Sequence, residues 1–344
     1  MNTINNTNET NETNEIIDVR LPTDFKTISF SGYAKSKVKA ELIKSIHNGD
    51  IEPAFYWSIE LICAGHLNDL WNIIIYYSSR FIHITNPKLH VYLAYRFNKF
   101  KTIANNGSIT NDLDFRNNKE NRKLFAEVIS ILCFSKKSHA YEDYTIKSNE
   151  EFDITNITNK LKAPNIHYAT PIFQSLDPKE IFIAINEFMY NLSNEVKDAI
   201  TACYWVEWIL KFDFISKQKK HNCECERRSF AIVNEKYQKN IVWVLWDCII
   251  NTAQDKAYNK IINSLFSLFC VKYKPTLNKM RKYVLYTAIS FITETIVLEN
   301  PLLNNNITTD IIKTLTDKID LIYKQVKHNE HSPNTDYLFY KLKQ

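Results

Sequence analysis

The chain has 344 residues, enough for one large domain or two of ordinary size, and 45% of them are apolar, ample for a core. Only 4 are glycine, where ordinary usage gives about 7%, and no GxxxxGKS/T occurs, which argues against Rossmann sheets, β-barrels and phosphate-binding loops. The net charge is +5, and seven scattered cysteines, odd in number, fit a reducing compartment better than a disulfide framework.

Residues 1–19 are low in complexity, carry Glu9, Glu12, Glu15 and Asp18 without a basic residue, and predict a disordered acidic tail. Without those four negative charges the rest of the chain stands at about +9. The polar N-terminus predicts no signal peptide. Residues 20–35 read as an extended arm.

Residues 36–104 predict four short helices joined by tight loops. Leu42, Ile43 and Ile46 share one face of the first. Asn48-Gly49 ends it in a left-handed turn, Asp50 is placed to cap the second helix, and Pro53 sits in that helix's first turn. Ala54, Trp57, Leu61 and Ala64 line one side of the second helix, which Gly65 ends. Leu70, Trp71, Ile74 and Phe81 belong to the third, over 67–81, and a fourth follows Asn86-Pro87.

A polar break over 105–120 precedes a helix over 121–134, with Leu124, Val128, Ile131 and Leu132 inward. Residues 135–176 are the least helical part and a candidate hinge, with a strand expected around Tyr141, Tyr144, Thr145 and Ile146 and a short helix over 152–162. Asp177-Pro178-Lys179-Glu180 reads as a helix start. Further helices are expected over 194–220, around Ile241–Ile249, and over 255–273, 276–298 and 310–328, about ten in all. The Ala-x-Tyr-Trp run recurs at 54–57 and 202–205, as a duplicated helix pair or a convergence of core residues would produce. The fold class is all-α: a tail over 1–19, a helical subdomain over 20–134, a linker over 135–176, a second helical subdomain over 177–328 and a tail over 329–344. No apolar run reaches membrane-spanning length without a charge, because Asp69 and Arg80 flank 71–79, Asp247 interrupts 242–250 and Glu294 interrupts 284–298.

Two resemblances attach to these residues. LIKSIHNGDIEPAFYWSIELICAGH, over 42–66, resembles the opening of the helical collar in clamp-loader-like AAA+ ATPases, where a similar run helps to assemble a ring. That likeness implies self-association or a protein partner through Tyr56, Trp57 and Trp71. NGDIEPAFYWSIELICAGH, DPKEIFIAINEFMY, ACYWVEWILKF and CECERR together resemble an uncharacterised family of large nucleocytoplasmic DNA viruses. This likeness implies a viral protein inside an infected cell, in the cytoplasm, the viral factory or the virion, and supplies no catalytic residues. The expected role is a non-enzymatic scaffold in replication, transcription or particle assembly, without cofactor or membrane.

Several constellations bear on chemistry. Trp205/Trp208 and Trp243/Trp246 are WxxW pairs, each on one helix face, expected in the core rather than stacking bases. Cys223-Glu224-Cys225 with His221 lacks the spacing of a zinc site. No HExxH, nucleophile elbow or paired-carboxylate signature is present, which leaves Glu60, His66 and Glu207 as the acids and base an unfamiliar enzyme would use. Two basic segments suit a nucleic-acid surface: Lys217, Lys219, Lys220, Arg227 and Arg228, then Lys272, Lys274, Lys279, Arg281 and Lys282, interleaved with Tyr273 and Tyr283.

Overall fold

The computed structural model describes residues 15–106, 112–141, 145–147, 152, 154–221, 223–303 and 307–331. Most of the expected acidic tail, part of the polar break, Tyr144 of the expected strand and most of the C-terminal tail lie outside the described residues. Among those described, thirteen α-helices and no strand occur, and a single isolated bridge joins Ile28 to Ala34. The all-α expectation holds. No helix of the described residues is long and apolar enough to cross a membrane.

The chain divides into two compact, discontinuous units: Met1–Leu70, Phe100–Cys133 and Thr309–Gln344 form the first, and Trp71–Lys99 with Phe134–Thr308 the second. Three of the borders fall inside helices.

The first unit begins with α1 (Lys35–Asn48) and α2 (Ile51–Cys63). Gly49 ends α1 at φ 81 and Gly65 follows α2 at φ 72, left-handed turns that the sequence marked. A Cβ on Gly65 would lie 2.9 Å from Leu113, so that turn also needs the missing side chain for space. α3 (Leu67–Tyr77), α4 (Leu89–Asn106) and α5 (Lys119–Phe134) each run from one unit into the other. The expected helix over 310–328 is broken at Lys318 into α12 (Thr309–Asp317) and α13 (Ile319–Lys327). These belong with the N-terminal helices, not with 177–308, because α13 packs on α2 through buried Ile319, Ile322, Tyr323 and Val326. Arg122 seals the contact at 3.0 Å from Asp320 and 3.8 Å from the Tyr323 ring centroid.

The arm before α1 is seated rather than loose. The Ile16 amide donates to Asn117 Oδ1 (3.0 Å) and Tyr323 Oη (3.1 Å), and its side chain is buried. Arg20 pairs with Asp18 at 2.6 Å and lies 4.7 Å from the ring centroids of Phe25 and Phe30. The His331 amide donates to Asp18 Oδ2, so the arm and the residue that follows α13 by a few positions hold each other.

The second unit holds a five-residue helix α6 (Ile154–Thr158), then α7 (Phe182–Leu192), α8 (Ala199–Gln218), α9 (Val242–Ala253), α10 (Asn259–Cys270) and α11 (Asn278–Thr293). α11 is its axis: every residue from Arg281 to Thr293 is buried, and α8, α9 and α10 pack around it. The start of α8 is set by Asp198, which accepts from the Thr201 amide at 3.0 Å, not by 193–195 as the sequence suggested. Asp177 does not cap a helix. Its carboxylate pairs with Arg228 instead, and a 3-10 turn over Lys179–Ile181 leads into α7. Residues 135–176 belong to this unit and are bonded to it. Glu187 of α7 accepts the amides of Lys162 and Ala163, and Asn186 accepts that of Ala169. Both Ala-x-Tyr-Trp helices are the second members of packed hairpins, α1–α2 and α7–α8, yet Trp57 is half-buried whereas Trp205 is fully buried.

Candidate nucleic-acid interface

The C-terminal half of α8 presents Glu207, Leu210, Lys211, Phe214 and Lys217 at spacings of three and four, so they share one helix face. Opposite runs the turn that opens α11. Pro275 starts it, and Lys279 and Lys282, three residues apart, project from the first turns of the helix. The two walls enclose a cavity of about 750 Å³. Four lysines (211, 217, 279 and 282) and two carboxylates (Glu207 and Asp213) line it, so its own charge is positive.

The charged groups are held in place. Lys282 Nζ lies 2.6 Å from Glu207 Oε1, and the Tyr286 hydroxyl donates to the same oxygen. Lys217 Nζ lies 2.6 Å from Asp213 Oδ2, one helical turn back. Burial pushes the Asp213 carboxyl above its ordinary range, opposed by the Lys217 ammonium. Phe214 is 52% exposed, and the Lys211 ammonium stands 5.4 Å from its ring centroid.

Two further cavities adjoin the same segment. Lys279 and Lys282 also line one of about 300 Å³ with Tyr76, Arg80 and Tyr283. Lys236, Lys272 and Lys274 line another of about 690 Å³, with no carboxylate in its wall. The two basic segments therefore share a cavity only through part of their residues. Lys217, Lys279 and Lys282 share one cavity, Lys272 and Lys274 share another, and Lys219, Lys220 and Arg227 are exposed outside both.

Arg228 and Arg281 do not belong to this surface. Arg228 is buried and reaches both oxygens of Asp177 at 2.7 Å and Asp247 Oδ2 at 2.8 Å, which ties the loop before α9 to residues 172–177. Arg281 is 2% exposed and caps α10 from outside: it donates to the carbonyls of Leu268, Phe269 and Val271, and to Asn72 Oδ1. Burial lowers its pKa to about 10. A buried guanidinium with four of its five N–H groups on internal acceptors is not presented to phosphate.

No protein family matches the chain, and comparison with curated proteins and with solved structures also finds no match.

The remaining candidates resolve individually. All four WxxW tryptophans are buried, and Trp243 and Trp246 pack on Phe266 and Phe269, so none is a stacking platform for bases. Trp71 is buried against Phe97, with ring centroids 5.0 Å apart, and cannot serve as an exposed interaction residue. Tyr56 and Trp57 are half-buried and form an edge-to-face cluster with Tyr33. Glu60 is fully buried and accepts from the Ser29 hydroxyl (2.6 Å) and the Ser31 amide (2.9 Å), while His66 Nε2 bonds the Ile28 carbonyl at 2.9 Å. Glu60 therefore pins the arm to α2 and His66 pins it to the turn after α2, while Glu207 is paired to Lys282. Burial pushes the Cys223 and Cys225 thiols up to about 11 and about 12, so neither is a thiolate at neutral pH. Among the described residues no group of three His, Cys, Asp or Glu is placed to hold a metal ion.

The sequence reading missed Lys211, Asp213 and Phe214. Their signal was present: Glu207, Leu210, Lys211, Phe214 and Lys217 fall on one helical stripe that mixes charge with an aromatic ring.

Proposed function

We propose that this chain is a non-enzymatic nucleic-acid-binding accessory protein, with its binding surface on the second unit. The observation that carries the reading is the cavity in which Lys211 and Lys217 of α8 face Lys279 and Lys282 of α11. Separate stretches of chain converge on a concave, positive site that also offers an apolar ring. Lysines that only solvate helix ends have no reason to converge. Three or four phosphates are within its capacity, so affinity falls with salt at a log–log slope of roughly −2 to −3 for a single strand. Base-specific readout is weak, because Asn278 in the cavity wall already accepts from the Tyr273 hydroxyl through Oδ1 and the cationic lining residues are lysines. In the setting that the viral resemblance implies, this is a replication, transcription or packaging accessory.

The test is a fluorescence titration with labelled nucleic acid at two salt concentrations, for wild type and for the combined variant Lys211→Ala, Lys279→Ala. Most of the affinity should be lost in the variant while its thermal unfolding stays near that of wild type. Absent binding by the wild type at low salt, or an unaltered variant, overturns the reading.

A second reading rests on the first unit. Tyr33 and Tyr56 each place a partly exposed ring within 5.5 Å of the Trp57 ring, a surface suited to a protein partner or a second copy of the chain. Light scattering decides the self-association form: a strict monomer at about tens of micromolar removes it.

A further inference from the structure

We infer that the cavity between α8 and the start of α11 is a nucleotide pocket selective for single strands, in which an unpaired base stacks on Phe214 and donates an N–H to Asp213. The inference rests on the nucleic-acid reading above and deepens it.

The first observation is an unfilled acceptor. Asp213 is 6% exposed and lines the cavity, and its Oδ2 is taken by Lys217. Its Oδ1 is buried and accepts no hydrogen bond from the protein. A buried carboxylate oxygen without a partner is costly and uncommon, and the residue that carries it lines a cavity of ligand size. Its natural complement is a donor carried by a ligand. The phosphodiester and deoxyribose groups of a DNA strand supply no such donor within the chain, and the carboxylate repels phosphate. A base does supply one: each of the four carries at least one N–H on its Watson–Crick edge. Asp213 therefore takes any base, provided that edge is free.

The second observation is the ring. Phe214 is a phenylalanine more than half exposed beside Lys211 in a positive cavity, where a structural role calls for burial. Leu210 and Pro275 extend the apolar surface next to it. Stacking on such a ring tolerates every base. Lys211 and Lys279 are left to neutralise the flanking phosphates, with Lys282 anchored by Glu207 and Lys217 by Asp213. Apolar ring, N–H acceptor and flanking cations complement the three features of a nucleotide in a flexible strand: an open ring face, an unpaired N–H and flanking phosphates. A duplex offers neither of the first two, because its ring faces are stacked and its Watson–Crick N–H groups are paired.

The experiment measures fluorescence anisotropy of the full chain with three labelled probes. They are a thymidine strand of about 12 nucleotides, an abasic strand of the same length, and a duplex of the same length. The thymidine strand should bind about tenfold tighter than the abasic strand and also tighter than the duplex, although the duplex carries more charge. Phe214→Ala should bring the thymidine strand to the abasic level without altering the salt slope. Asp213→Leu should weaken the thymidine strand several-fold and leave the abasic strand as tight or tighter, since a negative charge is removed. Phe214 is exposed enough for its variant to fold, so that arm stands even if Asp213→Leu does not. Equal affinity for the thymidine and abasic strands, or a preference for duplex, overturns the inference and leaves the nucleic-acid reading intact. Absence of binding to all three probes at low salt overturns both.

Discussion

Lys282 Nζ and Glu207 Oε1 lie 2.6 Å apart, with the side chains 11% and 13% exposed, and Tyr286 donates to the same carboxylate oxygen. One acid thus neutralises the most buried cation of the cavity and anchors α8 to α11. The two roles separate in Glu207→Gln. Loss of the charge-assisted bonds should cost about 1–3 kcal/mol of stability. The added unit of positive charge should tighten nucleic-acid binding at low salt. Urea unfolding and a titration on the same sample check both signs, and a variant that is less stable and also binds more weakly would contradict this account.

Arg227 and Arg228 are neighbours with opposite expectations. Arg228→Ala strands the Asp177 and Asp247 carboxylates in a largely buried site, and should cost about 3–5 kcal/mol. Arg227→Ala, at an exposed position, should leave stability within about 0.5 kcal/mol. Denaturant midpoints for the two variants settle this, and equal destabilisation would be the unexpected result.

Acid should destabilise the second unit through two histidines. His83, at φ 54 after the π-helical turn Ser78–Ile82, bonds Thr287 Oγ1 and Ser290 Oγ at 3.0 Å each, and burial lowers its pKa to about 4. His90 is fully buried, neither ring nitrogen has a partner, and burial lowers its pKa to about 3. The fold therefore favours the neutral rings. Their contribution is complete above about pH 6.5, the ordinary histidine value, and is lost as pH falls towards 4 and then 3. Glu294 is the charged group that partly offsets this at His83. Unfolding midpoints measured from about pH 7 down to about pH 4.5 should fall more steeply for wild type than for His90→Phe. Parallel profiles would show that carboxylate protonation alone governs acid stability.

N-terminal truncation should be sensitive to its end point. Removing residues 1–14 leaves intact the bonds of Ile16, Asp18 and Arg20 described above. Removing 1–19 takes away the Ile16 bonds to Asn117 and Tyr323 and the Asp18 bond to His331. The longer truncation should lower the thermal midpoint by several degrees and the shorter one should not. Differential scanning fluorimetry on the two truncated chains is sufficient.

Apolar periodicity, glycine scarcity and the Asn48-Gly49 and Gly65 turns determined that this chain is helical and where its first helices end. Those are local properties, written in residues that lie within a turn or two of one another. The same holds for Trp205, Trp208, Trp243 and Trp246, whose spacing on apolar helix faces placed them in the core. Tertiary structure alone decided which cations are available. Arg228 is buried and Arg227 exposed because Asp177, 51 residues away, and Asp247 converge on one of them, and the loop that holds the pair has no periodicity to announce it. Arg281 is internal because the open carbonyls at the end of α10 lie within its reach. The discontinuous units follow from the same cause: α13 finds its apolar partner in α2, more than 250 positions earlier. Asp213, Phe214 and Lys279 become one site only when α11 packs against α8, since burial and unpaired acceptors are properties of juxtaposed elements rather than of any single stretch of sequence.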